Sequence, residues 1–361
     1  MSDVRYWLGF NLVPHVGPVR VRALLAHFGN LEAAWRADAA NLRAAGLPQN
    51  AIQELQYRRQ RLDLNAELRK VEDHGLQILT WESDGYPSLL RNIDQPPPVL
   101  YVNGEITSDD DWAVAVVGTR NATSYGLRVA ERFAGALAEN NVTVVSGLAL
   151  GVDGAAHRAA LRAGGRTIAV LGCGLDTVYP YRHRALADEI RRAGAVVSDY
   201  PLGTKPDASN FPPRNRIISG LSLGTLVVEA GIRRGALITV RFALEQGRET
   251  FAVPGSIDSP RSAGTNTLLQ RGEAKPVMDV ADILEELNLS MVPQQRAVRQ
   301  EVPATPTEAA LLHHISADPT HLDDLVRRSG LETSLVSSTL TIMELKGLVR
   351  RVENMRYVLA N

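Results

Sequence analysis

Between residues 113 and 278, short β-branched runs ending on glycine alternate with stretches of helical period, and this alternation restricts the chain more than any other feature. AVAVV at 113–117 ends in Gly118-Thr119-Arg120, and after a polar loop Gly126 opens an amphipathic helix that runs to about Glu139. A second run at 142–145 ends in Ser146-Gly147 ahead of a helix near Asp153. Further strands are expected at 167–171, 195–198, 225–228, 250–253 and 275–278, with helices at 181–192, 214–219, 236–246 and 266–270 between them. Strands apolar throughout are those buried on both faces, so the expected fold class is α/β, an open doubly wound parallel sheet.

In such sheets ligands bind beyond the carboxyl ends of the strands, where these glycine loops fall. Glycine lets backbone N–H groups approach an oxyanion, and the helix behind adds a favourable dipole. A phosphate-bearing ligand is therefore expected, with Arg120 supplying forked cationic donors. The plain alternative is that the glycines only turn strands into helices. Gly118-Thr119-Arg120 does not have the G-x-G-x-x-G spacing of dinucleotide folds, and no G-x-x-x-x-G-K-[ST] occurs anywhere. Dinucleotide reduction and P-loop hydrolysis thus have no motif behind them.

The 361 residues suffice for two or three domains. A single cysteine, Cys173, excludes an intrachain disulfide or a CxxC zinc site, and its LGCGLD context reads as a buried small residue. No apolar run approaches the roughly 20 residues of a bilayer span, and the first residues carry no signal-peptide pattern, so a cytoplasmic protein is expected. Net charge is −1, but it is unevenly spread: residues 76–112 sum to −6 and residues 113–280 to +6. A positive sheet domain inside a neutral chain fits an anionic partner. Only 4 of the 39 basic residues are lysine, which suits bidentate phosphate binding and equally suits a genomic base bias.

Residues 1–75 read as all-helical. Val13-Pro14-His15-Val16-Gly17-Pro18 breaks one helix and opens another over 19–28 that stops at Gly29. This resembles a helix–hairpin–helix, with Arg20 and Arg22 as DNA contacts, or a plain αα-hairpin whose glycine is only a turn. Around the proline-rich 94–98, strands are expected at 76–79 and 99–102, the second joining the edge of the main sheet. Residues 288–306 read as a linker. Residues 307–361 read as a winged-helix pattern: helices from 307, at 322–328 and at 334–346, a turn at Ser329-Gly330, and a final strand near 357–359. Residues 301–361 sum to −2 and the presumed recognition helix offers mainly hydroxyls, which favours protein contact or a degenerate fold over DNA. The expected domains are thus 1–75, 76–287, the linker 288–306, and 307–361.

Three constellations could carry chemistry. Asp153 and His157 are four apart on one helix face but have no third ligand at metal-site spacing, so no metal is expected and Asp153 is read as capping its helix. Asn210-Phe211-Pro212-Pro213-Arg214-Asn215-Arg216 combines an aromatic, two arginines and two asparagines ahead of a helix, which is equipment for stacking bases and holding phosphates. Its bland reading makes Phe211 core and pairs the arginines with Glu229 or Asp199. Tyr179-Pro180-Tyr181-Arg182 and Arg233-Arg234-Gly235 add two more corners at the same sheet edge, Gly235 suiting close backbone approach.

These residues carry a resemblance. VVGTR, SGLALGVDGAAH, TIAVLGCGLDTVYP, FPPRNRIISGLS, VVEA, RGALIT, GRETFAVPGSID and GTNTLLQRGEA run in order over residues 113–278. Together they closely resemble the DNA-processing protein A (DprA or Smf) family. The resemblance implies an extended Rossmann-like domain, an N-terminal domain similar to a sterile alpha motif and a C-terminal winged-helix-like domain. It implies a protein of natural transformation that binds and protects incoming single-stranded DNA and helps load the RecA recombinase, with no catalysis and no cofactor. The family pocket maps onto Gly118, Thr119, Arg120, Ser146, Gly147, Phe211, Arg214, Asn215 and Arg216, and homodimer pairing onto Ile257, Asn266, Leu268 and Leu269. Three positions depart from the family pattern. Thr119 stands where serine is usual. Tyr181-Arg182-His183 follows a proline where lysine is common, which shifts that contact to Arg182. Arg234-Gly235-Ala236 replaces Ser-Gly-Ser.

The resulting expectation is a non-enzymatic single-stranded DNA binder whose affinity falls steeply with salt and depends little on sequence. A rival from another class is an enzyme or sensor for a nucleotide derivative, with Glu229 as its carboxylate. A recruitment scaffold acting through the flanking domains is a third.

Overall fold

The computed structural model describes residues 3–232, 235–289, 306–312, 314–315, 320–345, 349–352 and 355–359. Six helices come first: α1 (Val4–Asn11), α2 (Pro18–Phe28), α3 (Leu31–Arg36), α4 (Ala39–Ala44), α5 (Gln49–Arg59) and α6 (Leu64–Asp73). Asp3, Asn30, Asp38 and Asp63 accept backbone N–H bonds at the starts of α1, α3, α4 and α6, satisfying donors that a helix start leaves open. Pro18 takes the first position of α2 and Gly29, at φ 78°, ends it. The arginines that a DNA-binding reading of this hairpin would use are engaged by the protein itself. Arg20 donates to the His15 carbonyl. Arg22 donates to the Asp94 carbonyl at 3.3 Å and lies 5.8 Å from the Trp81 ring centroid.

The sheet region follows as β1 (Gln77–Thr80), α7 (Ser88–Arg91), β2 (Val99–Gly104), β3 (Ala113–Val117), α8 (Ser124–Glu139), β4 (Thr143–Ser146), α9 (Val152–Arg162) and β5 (Thr167–Val170). It continues with α10 (Arg184–Ala193), β6 (Ala195–Ser198), α11 (Phe211–Gly220), β7 (Gly224–Val227), α12 (Gly235–Glu245), β8 (Glu249–Ala252), α13 (Ala263–Gln270), β9 (Lys275–Pro276) and α14 (Val280–Glu286). The nine strands are ordered β1-β2-β6-β5-β4-β3-β7-β8-β9, with β3 to β9 parallel and β1 and β2 antiparallel to their neighbours. The chain winds outward from β3 to β6 and then crosses to β7 on the other side of β3, which puts the switch point between β3 and β7. The strand expected at the sheet edge, β2, sits one place in, and β1 takes the edge.

Two helices differ from expectation for local reasons. The one expected at 181–192 is split into a 3₁₀ turn, Tyr181–His183, and α10. The one expected from 214 starts at Phe211, because Pro212 and Pro213 fit a first turn whose N–H groups have no helical partner.

Side chains alternate between the two faces. Val99, Tyr101, Ala169, Leu171 and Val196 pack with α10 and with Trp7, Phe10, Leu24 and Ile52 of the first helices. Leu100, Val102, Val170, Val197 and Val227 face α11, α12 and α13 instead. The boundary expected at residue 75 therefore parts helices from strands along the chain, but in space both share one apolar core. Trp7 meets Trp81 edge-on at 5.7 Å, and the Tyr101 hydroxyl donates to Asn11 Oδ1 at 3.0 Å. The chain forms two compact units, 1–290 and 291–361.

The second unit contains α15 (Pro306–Leu312), β10 (Thr320–His321), α16 (Leu322–Ser329), α17 (Thr333–Leu345), β11 (Val349–Val352) and β12 (Arg356–Leu359), its sheet ordered β10-β12-β11. Leu311, Leu325, Val336, Leu340, Met343 and Tyr357 form its core, and Gly330 in the left-handed region ends α16. This is the winged-helix arrangement, with β11 a full strand where only a lead-in was expected. The linker expected over 288–306 lies almost wholly outside the described residues, as do Arg233 and Arg234. Among the described residues no helix is long and apolar enough to cross a membrane.

Candidate nucleic-acid interface

A cleft of about 640 Å³ opens at the carboxyl ends of the strands. Its walls are the loop after β3 (Gly118 to Asn121), Ala149 after β4, Tyr179 after β5, the start of α11 and the start of α12. Five successive crossovers thus converge at the switch point, where an open α/β sheet is expected to bind its ligand.

The backbone cradles behind β3 and β4 are closed by the chain's own carboxylates. Glu229, just past β7 and 2% exposed, accepts the Thr123 N–H at 2.9 Å and the Thr123 hydroxyl at 2.6 Å at the start of α8. Gly126 makes room for it, since a Cβ there would lie 2.3 Å from Glu229 Oε2. Asp153, buried in the first turn of α9, accepts the Gly147 and Ala149 N–H groups at 3.2 and 3.3 Å. Two expectations are corrected here. The Thr123, Gly147 and Ala149 N–H groups are not available to a ligand phosphate, and Asp153 ties down the preceding loop while Gly151 holds the N-cap of α9. Glu229, the carboxylate that the rival enzyme reading would use, is sealed under α8 and does not line the cleft.

What faces the cleft is aromatic and cationic. Phe211 stacks on Tyr179 with ring centroids 5.5 Å apart and planes 24° from parallel. The guanidinium of exposed Arg120 lies 5.3 Å from the Phe211 ring, and that of Arg214 lies 5.9 Å from it. Tyr179 is 45% exposed, so the stack presents a face to solvent. Arg214 is different: only 5% exposed, it donates to the Gly147 carbonyl at 3.0 Å and to the Val170 carbonyl. Burial pulls its guanidinium down to about 10, opposed by the nearby Asp153 carboxylate. Burial likewise raises Asp153, opposed by Arg214 and by the loop amides. Gly147 lets both approach the strand end, because a Cβ would fall 2.8 Å from Arg214 Nη2 and 2.9 Å from Asp153 Oδ2. Arg214 therefore acts mainly as a brace that fixes Phe211. Asn215 lines the cleft and donates to the Gly235 carbonyl at 3.3 Å, linking α11 to α12.

The family model of DNA recombination-mediator protein A matches residues 77–288, more than half of the chain, and a DprA winged-helix model matches residues 295–355. The chain belongs to the DNA recombination-mediator protein A family. Protein Smf of Synechocystis sp. is 36% identical over 99% of this chain and 98% of its own length. The crystal structure of DNA processing protein A from Streptococcus pneumoniae superposes with a TM-score of 0.70 at 35% identity, covering 79% of this chain and 99% of that one. DNA processing protein A from Helicobacter pylori, described for its single-stranded DNA binding mode, gives a TM-score of 0.53 at 31% identity over 58% of this chain and 95% of that one.

Of the residues that the resemblance puts in the pocket, Gly118, Thr119, Arg120, Phe211, Arg214 and Asn215 line the cleft, and so does Gly235, singled out for close backbone approach. Ser146 does not: it is fully buried, with its hydroxyl on the Val116 carbonyl at 2.7 Å. Gly147 lies beneath Arg214. Arg216 pairs with Asp199 at 2.9 Å, the two side chains being 14% and 17% exposed, so its bland reading holds. Arg182 is exposed beyond Tyr179, outside the cleft wall. On the pairing face, Ile257 is 90% exposed, whereas Leu268 is 5% exposed and belongs to the core under α13. Asn266 binds the Gly255 N–H at 3.1 Å and the Gly255 carbonyl at 3.0 Å, shaping the turn that carries Ile257. Leu269 is half-buried against the same core. Sequence reasoning missed the Tyr179–Phe211 stack, whose only signal was two aromatics next to prolines at adjacent strand ends. Among the described residues no group of three His, Cys, Asp or Glu could hold a metal ion.

Proposed function

We propose that this chain is a cytoplasmic, non-enzymatic mediator that binds single-stranded DNA in the cleft, protects it during natural transformation and helps load RecA, acting as a homodimer through the face around Ile257. The observation that carries this reading is Phe211, stacked on Tyr179 and flanked by Arg120 at an open rim. An aromatic face takes any base, and an arginine beside it takes the adjoining phosphate, so binding follows the backbone and not the sequence. The nucleotide-enzyme reading loses its carboxylate to α8 and its phosphate cradles to Glu229 and Asp153.

Full-length protein titrated with oligothymidine and a mixed-sequence oligomer should bind both alike, with affinity falling steeply as salt rises. Phe211→Ala should weaken both by roughly tenfold or more, since stacking on an aromatic side chain is worth about 1–3 kcal/mol per base. Thermal stabilisation by a mononucleotide with none by oligothymidine would reverse the assignment in favour of the enzyme or sensor.

A further inference from the structure

Two hollows meet at the turn 177–181. Tyr179 lines the cleft, while Thr177, Val178 and Tyr181 line a second hollow of about 420 Å³ that runs past Arg184 along α10. Tyr181 is 74% exposed, an unusual setting for so large a ring. Arg184 braces it, its guanidinium 6.0 Å from the ring centroid and its Nη1 donating to the Tyr181 hydroxyl at 3.4 Å. The carboxylates of this hollow are engaged. Asp188 pairs with Arg191 at 2.5 Å, and Asp176 accepts the Gly203 N–H at 3.0 Å. Among the described residues neither Arg182 nor Arg184 pairs with a carboxylate, so both keep their charge for something outside the fold.

We propose that Tyr181, backed by Arg184, is a second base platform for the same strand. It receives a nucleotide that has left the Phe211–Tyr179 stack and crossed the Pro180 turn, and exposed Arg182 holds the phosphate between. Tyr179 and Tyr181 are two residues apart, which limits their backbone separation to about 7 Å, within reach of neighbouring bases on one flexible strand. The ligand is any nucleotide base, because every base offers a π face and nothing in the hollow selects among them. This inference rests on the reading of the cleft as a single-stranded DNA site, and it extends the footprint of that site around the end of β5.

The test uses the full chain and labelled oligothymidines from about 4 to about 20 nucleotides, a range that brackets the usual site sizes of such binders. Tyr181→Ala should weaken the longest oligomers about five- to tenfold and leave the shortest oligomer that the wild type retains unaffected. Tyr181→Phe should match the wild type at every length, since the ring and not the hydroxyl is the platform. No loss at any length in Tyr181→Ala, or the same loss at all lengths, overturns the platform. Phe211→Ala separates the two failures. Binding that collapses with Phe211 but ignores Tyr181 removes the platform alone, while a wild type that holds no oligomer removes the cleft reading and the platform together.

Discussion

Of the helices that start at the carboxyl end of the sheet, the chain treats α8 and α9 in one way and α11 and α12 in the opposite way. At the start of α8 Glu229 takes the Thr123 N–H and hydroxyl, and ahead of α9 Asp153 takes the Gly147 and Ala149 N–H groups, Gly126 and Gly147 being small enough to let those carboxylates in. At α11 and α12 the first turns carry no acidic residue and line the cleft directly. One half is thus a locked scaffold, and the other presents dipole, aromatic ring and cation outward. The same α/β architecture that binds phosphates through glycine loops elsewhere has here moved ligand contact from backbone to side chains. A flexible polyanion tolerates that change, because it needs repeated cations and flat faces more than a shaped cradle.

The largest effect should come from unlocking the scaffold half. Glu229→Ala strands the Thr123 N–H and hydroxyl and leaves a void under α8, which should cost about 2–3 kcal/mol in urea unfolding. Inorganic phosphate should recover part of that loss in the variant and do little for the wild type, because only the variant has the start of α8 unfilled. Equal phosphate responses in the two proteins would break the distinction between locked and open ends.

A smaller effect separates the arginines of the open half. Arg120 is exposed over Phe211, whereas Arg216 is held by Asp199. Arg120→Ala should weaken every oligonucleotide roughly tenfold and reduce the slope of log affinity against log salt by about one. Arg216→Ala should leave that slope close to the wild-type value. Equal slopes for the two variants would mean that the Arg216–Asp199 pair opens on binding.

Much of this was legible beforehand, for a definite reason. A run such as AVAVV is apolar at every position only where both faces are covered, so β3 to β8 could be placed within a residue or two. The aromatic–arginine segment 210–216 could likewise be assigned to the ligand end, because it follows a strand and opens a helix. The division of labour within it was not legible. Arg216 had two candidate partners, and only the strand order shows that Asp199 is the near one. Glu229 and Thr123 are 106 residues apart and meet because β7 lies beside β3, a pairing that no local pattern encodes. Leu268 and Ser146 look like surface residues in a motif and are core in space. The helices of 4–73 similarly look independent until Trp7 and Asn11 are seen against Trp81 and Tyr101.

The smallest expected effect tests how tightly the locked half is sealed. His157, fully buried in α9, contacts Thr167 Oγ1 through Nδ1 at 2.7 Å, and that hydroxyl donates onward to the Val144 carbonyl at 2.6 Å. The Thr167 proton is thereby used, so His157 Nδ1 carries the hydrogen and Nε2 is left bare, without a partner. Burial, with the neighbouring His183, Arg158 and Arg214 adding to it, lowers the imidazole to about 3 from an ordinary 6.5. The unfolded chain then binds a proton below pH 6.5 that the folded chain refuses, so this contribution to stability is full above 6.5 and is lost as pH falls toward 3. Between pH 6.5 and 5.5 the loss should be about 1 kcal/mol. Urea midpoints at those two pH values should show that increment in the wild type and not in His157→Asn, whose amide can keep the Thr167 bond without titrating. A wild type as stable at pH 5.5 as the variant comparison allows for no histidine at all would mean that water reaches α9, and that the scaffold half is as open as the half that carries Phe211.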